Sequence, residues 1–188
     1  MDIEILSIGD ELLSGQTVNS NAAWIGQRLV EIGVSPRWVT TVGDVADDCR
    51  NALQTAAHRA GVILVTGGLG PTHDDITKKV VSEFFGSDLV LNEDWLNAIK
   101  ERFKQRNIPL ARVNQEQAMV PEKADMMRNP LGTAPGMVFR TDSVTCFVMP
   151  GVPHEMQNMM QSFVIPELKK QIRQVLLIRT LKTTGIPE

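Results

Sequence analysis

Two cysteines in 188 residues, Cys49 and Cys146, are too few for a disulfide scaffold or a cysteine-rich zinc site. Long apolar runs are also missing. The longest, such as Val62–Val65 and Val175–Ile178, are strand-sized, far short of the roughly 18 residues that a bilayer crossing needs. The opening Met1-Asp-Ile-Glu has neither the basic start nor the apolar stretch of a secretory signal. There is no basic excess: Lys and Arg number 19 against 22 Asp and Glu, the net charge is −3 and the pI is near 5.7. That balance argues against broad, non-specific nucleic-acid binding. Internal repeats and low-complexity segments are absent, and an apolar fraction of 43% excludes disorder. A cytoplasmic globular domain is expected, with no membrane and no direct nucleic-acid partner.

What the chain does have is alternation. Asp2–Ile8 reads as a strand, Asn21–Ile32 as a helix and Val34–Val42 as a second strand with Pro36 near its start. Cys49–Arg59 reads as a helix, Gly61–Thr66 as a buried strand, Ile76–Phe85 as a helix and Glu93–Arg106 as a longer amphipathic helix. The βαβαβα order over the first 85 residues predicts a parallel α/β layer with the strand C-termini on one edge. Beyond it, Asn114–Val120 and Pro153–Lys170 read as helices, and Gly136–Arg140, Ser143–Met149 and Val175–Leu181 as strands.

Three polar segments fall at the edge where such sheets bind ligands. Thr66-Gly-Gly-Leu-Gly-Pro-Thr-His-Asp-Asp-Ile-Thr77 leaves the buried strand and enters a helix. Gly67, Gly68 and Gly70 allow positive φ and let backbone N–H groups approach an anion. Asp74 and Asp75 would repel a phosphate there unless a cation sat between them, and hard oxygen donors of this kind favour Mg2+ or Mn2+. The competing reading is a tight turn with Asp74 as a helix cap. Gly9-Asp-Glu-Leu-Leu-Ser-Gly15 and Asn19-Ser-Asn21 follow the first strand; Asn19 or Ser20 suits a cap, leaving Asp10, Glu11 and Ser14 without a structural duty. Asn129-Pro-Leu-Gly-Thr-Ala-Pro-Gly136 and Pro150-Gly-Val-Pro-His-Glu155 are rigid turns, with Pro153 and Glu155 suited to a helix start. Among isolated side chains, Cys146 and Met156, Met159, Met160 and Phe163 read as core. Cys49 reads as partly buried, and Lys78 and Lys79 as solvated surface. His58 reads as structural, His73 more simply as a hydrogen-bonding surface residue than a general base, and His154 equally as a substrate contact or a cap-region residue.

Taken together, these strings resemble the molybdopterin-binding-like domain of the CinA (competence/damage-inducible protein) family, and they run in family order from residue 8 to 155. The Gly-Gly-x-Gly…Asp core is shared with MoaB- and MogA-like proteins; the Gly-Pro-Thr-His-Asp-Asp and Asn-Pro-Leu-Gly-Thr-Ala-Pro-Gly strings favour CinA. The resemblance implies an α/β three-layer sandwich with a mostly parallel sheet over residues 1–170. Residues 171–188 are then the start of a following segment, cut short at Glu188. It further implies divalent-metal-dependent hydrolysis of ADP-ribose to AMP and ribose 5-phosphate, in a homo-oligomer. Under that reading Asp74 and Asp75 hold the metal, with Mg2+ first and Mn2+ or Co2+ as alternatives. Gly67, Gly68 and Gly70 supply amides, and Thr72 and Thr77 supply hydroxyls. Asp10 or Glu11 accepts a ribose hydroxyl or orients the attacking water. Asp44 holds a base or ribose, and Ser14, Asn21, Gly151 and Pro153 complete the nucleotide site. The alternatives are molybdopterin binding or adenylylation in molybdenum-cofactor synthesis, and a non-catalytic nucleotide-binding or oligomerisation domain.

Overall fold

The computed structural model describes residues 1–70, 76–105, 109, 116–172 and 184–185. Expectations for Thr72, His73, Asp74, Asp75, Arg106 and Asn114, and for the strand over Val175–Leu181, fall outside them. The first half runs β1 (Ile3–Ile8), α1 (Asp10–Leu13), α2 (Ser20–Glu31), β2 (Trp38–Val42), α3 (Ala46–Arg59), β3 (Val62–Gly67) and α4 (Thr77–Phe84). An excursion follows: β4 (Leu89–Leu91), α5 (Glu93–Gln105), a 3-10 turn (Glu116–Ala118) and β5 (Met119–Pro121). The chain then forms β6 (Asp125–Met127), β7 (Gly136–Arg140), β8 (Thr145–Pro150), α6 (Pro153–Met159), a π turn (Met160–Val164) and α7 (Ile165–Gln171).

Strands β1 and β3 are buried at every position, which requires cover on both faces of the sheet. Successive side chains point to opposite faces, and the apolar residues divide accordingly. Ile3, Ile5, Leu64, Phe147 and Met149 form one core with Ile25 and Leu29 of α2 and Met156 of α6. Leu6, Ile8, Ile63, Val65 and Val148 form the other with Leu53 of α3 and Val80 and Val81 of α4. Two cores separated by one sheet make a three-layer α/β sandwich.

The sheet order is β2-β1-β3-β8-β7-β6. The first four strands are parallel, β7 is antiparallel to β8, and β6 is antiparallel to β7. The register pairs Ile8 with Val42 and Gly67 with Pro150, so four parallel strands end together at one edge. Strands β4 and β5 form a separate antiparallel pair, next to the small core of Leu96, Ile99 and Ala118.

Several boundaries differ from the sequence reading for identifiable reasons. Strand β2 starts at Trp38 rather than Val34: Pro36 has no N–H, and the Arg37 N–H donates to Ile3 O at 2.8 Å as the chain turns in. The expected helix over Asn114–Val120 is, in its described part, a 3-10 turn followed by a strand, because Val120 pairs with Val90. The expected helix Pro153–Lys170 widens into a π turn just before Pro166, whose ring would crowd the carbonyl of Ser162 in a regular α-helix. Cys49 is fully buried rather than partly so. Helix α1 and strands β4 and β6 are too short to show a period.

One buried charge lies in this frame. Glu4, fully buried on β1, accepts from Arg59 Nε at 2.8 Å, Arg59 Nη2 at 2.7 Å and Thr40 Oγ1 at 2.6 Å. Those bonds raise the Arg59 pKa above its ordinary value, and its guanidinium stacks on Trp38 at 4.8 Å. The network ties edge strand β2 and helix α3 to the sheet.

Candidate functional site

The shared edge is laced together by backbone. Gly151 N donates to Gly67 O at 2.7 Å, Asn21 Nδ2 donates to Gly151 O at 2.7 Å, and Gly9 N donates to Val42 O at 3.0 Å. Gly67 is needed here for close approach. A Cβ on it would lie 2.8 Å from Thr77 Oγ1, 3.0 Å from Ile8 Cβ and 3.3 Å from Ile8 O. The positive-φ glycines of the described chain are Gly15, Gly33, Gly86 and Gly185. The positive φ expected of Gly67 and Gly68 is therefore not what these residues provide.

A cavity of about 500 Å3 opens on this edge, bordered by Gly67, Gly68, Leu69 and Gly70 and by Glu11, Asp44, Gln117, Thr133, Ala134, Val152 and Glu155. A second of about 140 Å3 adjoins it, lined by Thr17, Asn19, Ser20, Asn21 and Pro153, with Ile8, Glu11, Gly67 and Gly151 common to both. The larger cavity has three carboxylates on its walls, Glu11, Asp44 and Glu155, and no Lys or Arg among its described lining. Carboxylate oxygens are the donors that Mg2+ prefers, so the chemistry of the wall fits a hard divalent cation. Among the described residues no group of three or more candidate ligands gathers around one point.

Most of the sequence-predicted residues meet here, with some redistribution of duty. Asp10 has a structural role after all: its Oδ1 accepts from Asp44 N at 3.0 Å while its own N–H donates to Asp44 Oδ2 at 3.0 Å. This reciprocal pair locks the turn after β1 to the turn after β2. Glu11 and Asp44 face the larger cavity; Asp10 and Ser14 line neither cavity, and Ser14 Oγ donates to Glu11 O at 3.3 Å. Asn19 caps α2, accepting from Ala22 N at 3.0 Å. Thr77 is fully buried at the start of α4, its Oγ1 behind Gly67 and without a hydrogen-bond partner among the described residues.

The wall contributed by residues 129–136 is built around one buried amide. Asn129 Oδ1 accepts from Gly132 N at 2.8 Å and Leu131 N at 3.1 Å, and its Nδ2 donates to Ala134 O at 2.8 Å and Glu155 Oε2 at 2.6 Å. Gly132 makes room for that carboxylate: a Cβ there would overlap Glu155 Oε2. Helix α5 supports the loop from behind, through Arg102 Nη1 to Gly132 O at 2.6 Å and Trp95 Nε1 to Thr133 O at 3.1 Å. Lys78 is not the solvated residue expected; its Nζ donates to Glu116 O at 3.1 Å and Met119 O at 2.9 Å. The sequence reading assigned neither Glu155 nor Gln117 to the site. Glu155 had a signal in the Pro-Gly string it closes, whereas nothing local marks Gln117.

With this geometry in view, comparison with known proteins is specific. The family described as "Probable molybdopterin binding domain" matches residues 4–170. A putative competence-damage inducible protein of Caldicellulosiruptor saccharolyticus is 42% identical over 188 residues, all of this chain and 46% of that protein. A CinA-like protein of Dictyoglomus thermophilum is 40% identical over 188 residues, with the same coverage. The chain thus spans about half the length of the curated relatives it matches. The crystal structure of the protein CinA, of unknown function, from Thermoplasma acidophilum superposes with a TM-score of 0.79 at 32% identity, covering 88% of this chain and 96% of that one. The molybdopterin biosynthesis enzyme MoaB from Thermus thermophilus shares the fold at a TM-score of 0.61 and 16% identity, over 90% of this chain and 94% of that one. The chain belongs to the molybdopterin-binding-domain family and, within it, to the CinA (competence/damage-inducible) group.

Proposed function

We propose that the chain hydrolyses the diphosphate of ADP-ribose-like nucleotides to AMP and ribose 5-phosphate with the help of a divalent cation. The observation that supports this most is the composition of the larger cavity: a backbone floor at Gly67–Gly70 between carboxylate walls with no described Lys or Arg. Exposed amides in a glycine run suit phosphate oxygens, while neighbouring carboxylates repel a bare diphosphate. A diphosphate that enters with Mg2+ satisfies both, and Mn2+ or Co2+ would serve as alternatives.

Asp74 and Asp75 are assigned to the cation on sequence alone. When bound, the ion neutralises diphosphate charge and lowers the pKa of a water. Glu11, on the wall shared by both cavities, orients the attacking water or accepts a ribose hydroxyl, and Asp10 holds the neighbouring turn in place. Asp44 accepts from the ribose or base. Asn21 and Gly151 shape the second compartment, and Pro153 closes it. In the reaction a water oxygen bonds one phosphorus, the bridging oxygen leaves with the other, and each product carries a phosphate monoester.

A second reading, molybdopterin binding or adenylylation, is favoured by the description of the family that matches residues 4–170. Product analysis separates the two. The full chain is incubated with ADP-ribose and a panel of nucleoside diphosphate sugars under Mg2+, Mn2+ or Co2+. Equal amounts of AMP and ribose 5-phosphate are expected. A thermal shift with a molybdopterin precursor, together with no turnover of any diphosphate, would transfer the assignment to the pterin reading.

A further inference from the structure

We propose that Glu155 holds the second sugar of the nucleotide, the one that leaves as ribose 5-phosphate, by accepting hydrogen bonds from its hydroxyls. The inference rests on the nucleotide reading above and assigns a specificity residue to it. Glu155 is partly buried on the wall of the larger cavity. Its Oε2 accepts from Asn129 Nδ2 at 2.6 Å. Its Oε1 accepts no hydrogen bond from the described residues and remains open to solvent. Neither oxygen pairs with a described Lys or Arg. An ionised carboxylate can accept about four hydrogen bonds, so most of the capacity of this one is unused.

The carboxylate is also held in place. Asn129 is buried and engages its whole amide: Oδ1 accepts from the Leu131 and Gly132 amides, and Nδ2 donates to Ala134 O as well as to Glu155. No side chain fits at residue 132, where a Cβ would overlap the Glu155 carboxylate. Arg102 of α5 donates to the Gly132 carbonyl and does not pair with Glu155. A neutral acceptor could satisfy Asn129; the charge and the open oxygen are what remain for a ligand.

The strand order indicates which part of the ligand it meets. Along the edge, Asp44 follows β2, Glu11 follows β1, Gly67–Gly70 close β3, and Glu155 follows β8. The glycine floor therefore lies between Asp44 and Glu11 on one side and Glu155 on the other. A diphosphate seated on that floor directs its two halves to opposite walls. With the adenosine half at Asp44, the other half meets Glu155. That half is a ribose without a base, rich in O–H donors, and ionised carboxylates make the stronger class of hydrogen bond. Thr133 brings a hydroxyl to the same wall.

The test titrates ADP-ribose and the propyl ester of ADP by calorimetry with Ca2+ in place of Mg2+. The two ligands carry the same diphosphate charge, but the propyl group has no hydroxyl. Three proteins are compared: the native chain, Glu155→Gln, which keeps an acceptor for Asn129, and Glu155→Asp, which withdraws the carboxylate by one methylene and decides the matter should the first fail to fold. The native chain should bind ADP-ribose about tenfold or more tightly than the propyl ester. Glu155→Gln should bring that ratio close to one while leaving the affinity for the propyl ester within about twofold, and Glu155→Asp should lower the ratio too. Equal affinities in the native chain, or an unchanged ratio in the folded variants, would overturn the assignment. So would an equal loss of both ligands, which would make Glu155 a support for the loop or the cation. If the native chain binds ADP-ribose under any of these outcomes, only the role of Glu155 falls. If it binds neither ligand, the nucleotide reading falls and the role of Glu155 with it.

Discussion

Gly67 illustrates how tightly single residues are constrained at this edge. An added methyl would press on Thr77 Oγ1, Ile8 Cβ and the Ile8 carbonyl at once, and the backbone oxygen cannot swing aside. Gly67→Ala should therefore cost about 1–3 kcal/mol, seen as a lower urea midpoint at unchanged m-value. Cys49 is constrained by solvation. Burial first, then the nearby charges of Asp44 and Asp48, push its thiol pKa up to about 11, and its Sγ donates to Gly43 O at 3.3 Å. Burial likewise raises the thiol pKa of Cys146. The folded chain thus holds the Cys49 proton where an unfolded thiol, with a pKa of about 8.5, has released it. The stabilisation is complete below that pH and is lost as pH rises towards 11. Urea midpoints should fall over this window and fall less in Cys49→Ala. At pH 8 neither thiol should react with a thiol reagent until the chain unfolds. The glycines at 67–70 stood out in the sequence because they are clustered. The reason for Gly132 did not, because it depends on a carboxylate, Glu155, supplied by a distant helix.

Among the elements, the loop over residues 129–136 is held by Asn129 rather than by its prolines. Replacing Asn129 with Leu leaves Ala134 O and the Gly132 and Leu131 amides without their partner. At about 1–3 kcal/mol for a buried group stripped of its partner, the variant should lose roughly 2–4 kcal/mol in urea titration. It should also lose affinity at the Glu155 wall. Strand β2 and helix α3 depend in the same way on Glu4 and Arg59. Arg59→Met strands a buried carboxylate and should lower the melting temperature, whereas adding Glu4→Gln to it should recover part of the loss. A double-mutant cycle measures that coupling. Strands β1 and β3 and helices α2 to α5 were legible because their apolar periods reflect the layers that cover them. Residues 116–121 were not. Gln-Ala-Met-Val fits a helix as readily as a strand, and the partner that decides it, Leu89–Leu91, is set by the fold. Gln117 was hidden for the same reason: the Lys78 bonds to the carbonyls on either side of it come from α4, a distant element.

At the scale of the whole molecule, two cores on either side of one sheet bring four parallel strand ends to a common edge. The described residues of three of the polar strings, 9–21, 66–70 and 150–155, meet there, as their order along the chain predicts. The family is CinA-like, and the cavity has a backbone floor with carboxylate walls. The proposed chemistry at this edge is hydrolysis of a diphosphate with a cation held by Asp74 and Asp75. The most direct test compares AMP release from ADP-ribose under Mg2+ by the native chain and by Asp75→Asn, after matched circular dichroism and melting curves show both folded. AMP and ribose 5-phosphate are expected in equal amounts from the native chain, and turnover reduced by at least about a hundredfold in the variant, in line with the loss of a catalytic electrostatic group. Equal turnover by the two folded proteins, or none by the native chain under any of the three metals, would contradict it.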